Sequence, residues 1–132
     1  MNQFLSAIAL VVPDYDEAIR SYIEALGFLL VEDTELGDGK RWVLVAPPGS
    51  SETRLLLAKA DSPSQLAAIG NQTGGRVFLF LNTDDFDRDY AAFTDRGVTF
   101  RESPRQESYG KVAVFEDPFG NAWDLIEPQP VS

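Results

Sequence analysis

The stretch Asp14–Phe28, D-Y-D-E-A-I-R-S-Y-I-E-A-L-G-F, decides how the rest of the chain is read. Asp14 can accept an amide hydrogen bond as an N-cap, and Glu17, three residues on, can reach back in a capping-box-like arrangement. Ala18, Ile19, Tyr22, Ile23 and Leu26 recur at helical spacing, and Gly27 supplies a left-handed residue to end the helix. The signature returns 71 residues later. Asp85-Phe86-Asp87 repeats Asp14-Tyr15-Asp16, Phe93 stands where Tyr22 does, and Gly97 repeats Gly27 one residue closer. Asp84 or Asp85 therefore opens a second helix that runs to Arg96.

Strand signals flank both helices in the same order. Phe4–Val12 is an apolar strand before the first helix; Phe28–Asp33, Lys40–Ala46 and Thr53–Lys59 follow it. Leu36–Gly39 makes a turn, Pro47–Ser51 a loop, and Ser62–Ile69 a short connecting helix. After the loop Gly70–Gly75 the order restarts with Arg76–Asn82, the second helix, Val98–Glu102, Tyr109–Glu116, the turn Asp117–Gly120 and Asn121–Glu127. The sequence predicts one α+β domain of two βαβββ modules, about residues 1–60 and 75–128, forming a cup-shaped mixed sheet with the helices outside. A pocket is expected between sheet faces, lined by alternate residues.

Composition narrows the chemistry. The 132 residues are 44% hydrophobic and 24% charged, the balance of a chain that buries a core. Eleven basic residues against 21 acidic ones give a net charge of −10, which repels phosphate backbones, so no nucleic-acid partner is expected. The longest apolar runs, Ala7–Val12 and Val77–Leu81, fall far short of a membrane span, and Met1–Phe4 lacks the pattern of a signal peptide. With no cysteine there are no disulfides and no thiolate chemistry, and a cytoplasmic location is expected. There is no histidine either, which removes the commonest transition-metal ligand and the usual acid–base group near neutral pH.

Asp14–Phe28 and Phe115–Glu127, F-E-D-P-F-G-N-A-W-D-L-I-E, together resemble the vicinal oxygen chelate superfamily, also called the glyoxalase, bleomycin-resistance and extradiol-dioxygenase superfamily. The resemblance covers essentially the whole chain, and the D-P-x-G-N turn followed by an apolar strand with an acid is its most specific part. It implies paired βαβββ modules, often completed as a homodimer, and in the metalloenzymes a divalent ion held by histidine or glutamate from four strands. Carried over position by position, those sites fall near Ala7, Leu56 and Phe78 and on Asp124. Only Asp124 offers a ligand, so no metal or other cofactor is expected.

Other residues carry open alternatives. Trp42 can stack a planar ligand and Arg41 meet an anionic group, or one packs in the core while the other faces solvent. Arg76, on one face with Phe78, guards a cavity mouth or pairs with a surplus acid. Tyr109 donates to a ligand carbonyl or packs at a strand start, and Trp123 points away from Asp124, under a helix. Asp84, Asp85, Asp87 and Asp89 suit a helix N-terminus and lack the glycine and glutamate of a calcium loop.

The leading expectation is a homodimeric, non-metal binding protein that sequesters a small apolar, aromatic or cationic compound. Its alternative is a lyase, isomerase or dioxygenase-like enzyme using Asp124 as acid or base, with Tyr109 or an arginine polarising a carbonyl. A partner-binding module with a collapsed cup is the third.

Overall fold

A computed structural model describes residues 1–129. It has two compact units, the first Met1–Ile69 and the second beginning at Gly70. Each unit has the order strand, helix, three strands.

In the first unit, β1 (Ala7–Val12), α1 (Tyr15–Leu26), β2 (Leu29–Gly37), β3 (Lys40–Ala46) and β4 (Arg54–Lys59) make a sheet of order β1-β4-β3-β2. A short α2 (Pro63–Ala68) follows, capped by Ser62. The Asp14 side chain accepts the Glu17 amide at 2.9 Å, and Gly27 ends α1 at φ 71°. The α1 face that recurs at helical spacing is the buried one. Ala18 and Tyr22 are fully shielded and Leu26 nearly so. Tyr22 stacks on Phe28 at 6.0 Å between centroids. Leu10 and Val12 of β1, Val43 and Val45 of β3, and Leu55 and Leu57 of β4 are also buried. Each such residue contributes roughly 1.5–3 kcal/mol of apolar burial.

In the second unit, β5 (Leu79–Asn82), α3 (Phe86–Asp95), β6 (Arg105–Glu107), β7 (Gly110–Glu116) and β8 (Ala122–Pro128) make a sheet of order β5-β8-β7-β6. The cap recurs: the Asp85 side chain accepts the Arg88 amide at 3.1 Å. Beneath α3 lies an aromatic core in which Phe93 meets Phe115 edge-on at 5.2 Å and Phe115 meets Trp123 at 5.7 Å. In both units the first strand runs parallel to the last, which is antiparallel to the third. The chain is thus an α+β fold of two βαβββ modules.

The expected strand Val98–Glu102 is corrected. Only Phe100 there bridges to β7, and β6 is instead the short run Arg105–Glu107. The Arg101 amide donates to the Val114 carbonyl at 2.8 Å, but the next β7 donor, Val114 N–H, is taken by the Glu102 carboxylate at 2.9 Å. A side chain thus replaces the ladder just before Pro104, which has no amide to give.

Candidate functional site

The turn Asp117-Pro118-Phe119-Gly120-Asn121 sets the geometry of the second unit's face. Asp117 is 4% exposed, and its carboxylate accepts four hydrogen bonds. The amides of Phe119 and Asn121 reach Oδ1 at 2.9 and 3.0 Å. Asn121 Nδ2 and Trp123 Nε1 reach Oδ2 at 2.9 and 3.1 Å. Tying the Trp123 indole to the turn fixes it on the helix side of β8, and the period-two pleat then puts Asp124 on the other side. Trp123 therefore packs under a helix, as its place in the strand implied.

On the face away from α3, Asp124 lies between two ladder partners, Phe80 of β5 and Val114 of β7. Phe80 is 64% exposed. Phe78, whose amide donates to the Ala122 carbonyl at 2.7 Å, lies two residues earlier on the same face. Asp124 Oδ1 is shielded from solvent and has no hydrogen-bond partner among the described residues. Burial pushes the Asp124 carboxyl above the usual carboxylate range; Arg105 opposes the shift and Glu102 adds to it. Arg105 gives Asp124 little relief because its guanidinium is committed elsewhere. It meets Glu102 at 2.7 and 3.1 Å and Glu107 at 2.7 Å. The bond to Arg105 holds the Glu102 carboxyl below its ordinary value.

Leu56 occupies the matching position in the first unit, flanked by Ala9 of β1 and Leu44 of β3. Trp42 shares the face of Leu44 by alternation and is 40% exposed. Trp42, Leu56 and Arg41 line one open cleft of about 510 Å³, together with Tyr15, Leu36 and Ala58. That is ample for a drug-sized ligand. Arg41 contributes its stem more than its charge. Its guanidinium meets Asp33 at 2.6 and 3.1 Å and Asp16 at 2.9 Å, and sits over the Tyr15 ring. Ala7 lies outside this cleft; the parallel register sets Ala9 beside Leu56.

The remaining candidates lie elsewhere, except that the Tyr109 side chain meets the Arg105 guanidinium. Arg76 and Phe78 line a separate cavity of about 20 Å³ with Arg101 and Asn121. Tyr109 is 51% exposed in the β6–β7 turn. The aspartates near α3 serve the helix end: Asp84 and Asp89 pair with Arg88, Asp85 caps, and Asp87 meets Lys111 at 2.6 Å. Sequence reasoning missed Phe80, Val114, Glu102 and Arg105. Phe80 was reachable by sliding Phe78 two residues along its face, whereas the Glu102–Arg105 clamp left no separate signal.

A divalent ion does not fit the four strand positions. Ala7 or Ala9, Leu56, and Phe78 or Phe80 present no donor, so Asp124 would be the sole side-chain ligand where several must converge. Among the described residues, no three Asp or Glu side chains group as a metal site.

A protein of Shewanella frigidimarina (strain NCIMB 400) is 56% identical over 128 residues, covering 96% of this chain and 95% of its own. Among solved structures, UcmS2 matches with a TM-score of 0.83 at 29% identity, covering 96% of this chain and 99% of its own. TnmS3, described as an antibiotic binding protein from Streptomyces sp. CB03234, matches with a TM-score of 0.76 at 33% identity, covering 97% of this chain and 98% of its own. The family model of the Glyoxalase/Bleomycin resistance protein/Dioxygenase superfamily matches residues 4–125, and the chain belongs to that superfamily.

Proposed function

We propose that this protein binds and sequesters a small, largely apolar or aromatic molecule, without metal or other cofactor. One observation carries the reading: the strand positions that hold ions in the superfamily's metalloenzymes present Leu56 and Phe78 or Phe80, and a lone carboxylate, Asp124. The exposed ring of Trp42 beside an open cleft supports it, as does the likeness to TnmS3. The reading includes a homodimer in the cytoplasm. Support for a second copy comes from the edge strand β2, exposed along its length with Leu29, Leu30, Val31 and Leu36 uncovered.

Screening polycyclic aromatic and apolar compounds by thermal shift and Trp42 fluorescence tests the reading. At least one class should raise the melting temperature in a saturable way and quench the emission of Trp42, while Trp123 stays shielded. A panel that leaves both signals unmoved contradicts it.

A second reading, an isomerase or lyase with Asp124 as the proton acceptor, draws on the raised Asp124 carboxyl. An Asp124→Asn variant that binds but no longer turns over a substrate would favour it over sequestration.

A further inference from the structure

We propose that Asp124 selects ligands carrying a protonated amine on an aromatic or apolar body. The proposal rests on the small-molecule reading and names a ligand class for the Asp124 face of the second unit. Its basis is an imbalance of paired charges. Arg105 is the cation beside Asp124, and it is held by both Glu102 and Glu107. Glu116 on β7 is likewise engaged, with Arg101 at 3.0 Å. Of the carboxylates on this face, Asp124 is the one that retains an oxygen shielded from solvent and without a partner among the described residues; the other such oxygen is the neutral amide Oδ1 of Asn121. A half-buried carboxylate in that condition lacks part of its hydration without recovering it from the protein.

The flanking side chains define the rest of the ligand. Phe80 and Val114 are the ladder partners of Asp124, and Ile126 follows two residues along β8. An ammonium group donates N–H bonds to the carboxylate and supplies the missing charge, while a flat apolar body covers Phe80 and its neighbours. A carboxylate ligand meets Asp124, Glu102 and Glu107 against one already shared guanidinium, and is repelled.

Calorimetric titration with three matched probes tests this: 2-naphthylmethylamine, 2-naphthylmethanol and 2-naphthoate. The amine should bind about tenfold tighter than the alcohol, the size of one charge-assisted hydrogen bond, and the naphthoate weakest. Asp124→Asn should bring the amine and alcohol to equal affinity. Asp95→Asn, which removes the same charge from the exposed end of α3, should keep the preference. Equal binding of amine and alcohol by the native chain overturns the selection by Asp124 and leaves the small-molecule reading standing. A preference that survives Asp124→Asn assigns it to overall charge and also overturns the proposal. Binding of none of the three, while other apolar compounds bind, overturns the amine assignment alone; binding of nothing at all removes both.

Discussion

The links between the last two strands of each unit do the same topological job with different chemistry. In the second unit, the Asp117–Asn121 turn is closed by a buried carboxylate with four hydrogen bonds. In the first, the loop Pro47–Ser51 is held by the Ser50 amide on the Pro47 carbonyl at 3.2 Å and the Glu52 amide on Ser50 Oγ at 3.3 Å. The strands that follow differ in parallel. β4 presents Leu56 between Ala9 and Leu44, and β8 presents Asp124 between Phe80 and Val114. The helix caps, strand order and parallel pairing are common to both units. The repeated frame therefore carries different side chains at matching positions of one sheet face, and the face bearing the half-buried carboxylate follows the more extensively hydrogen-bonded turn.

The largest expected break in this contrast is Asp117→Ala. It strands several buried donors, including the Trp123 indole, and should cost roughly 3 kcal/mol in urea-unfolding stability, whereas Ser50→Ala should cost under about 1 kcal/mol. Gly70→Ala comes next. Gly70 has φ +74°, and an added Cβ would lie 2.4 Å from the Phe119 carbonyl oxygen, against the backbone of that same turn. The loss should be about 2 kcal/mol or more, compared with about 1 kcal/mol for Gly49→Ala, where φ is +80° but nothing lies within 4 Å.

Asp124→Asn should act in the opposite direction. A carboxyl whose folded pKa is raised contributes its full stability below the unfolded value and loses it as pH rises through the folded one. The variant should therefore melt a few degrees higher than the native chain at neutral pH. The gap should close as pH falls through the raised Asp124 value toward the ordinary aspartate range. Leu56→Asp, which places a carboxylate at the matching position of the first unit, should lower the melting temperature at neutral pH. Trp42→Phe has the smallest effect: under about 0.5 kcal/mol on stability for an exposed ring, with the fluorescence response to ligand abolished.

Much of this was written locally in the sequence. Asp14, Asp85 and Gly27 act through hydrogen bonds within a turn of their own position, so residue type and spacing suffice to place the helices. The Asp117 turn and the placing of Asp124 on the face opposite Trp123 follow for the same reason. Properties set by distant partners were not legible. Arg41 is claimed by Asp33 and Asp16, 8 and 25 residues away. Phe80 is brought beside Asp124 by a parallel register that no local pattern encodes. β6 is three residues long, too short for alternation to announce it, and the more apolar Val98–Glu102 was the stronger strand signal. The candidate face was thus legible in its charged fixture and its apolar character, but not in the Glu102–Arg105 clamp that diverts the guanidinium beside Asp124.

The most direct test of a metal-free binding face is calorimetric titration of protein dialysed against a strong chelator, using the best aromatic compound from the thermal-shift panel. The account predicts saturable binding with one affinity before and after chelation and no gain on adding Zn²⁺, Mn²⁺ or Ni²⁺. Binding that vanishes with chelation and returns with one of those ions would contradict it.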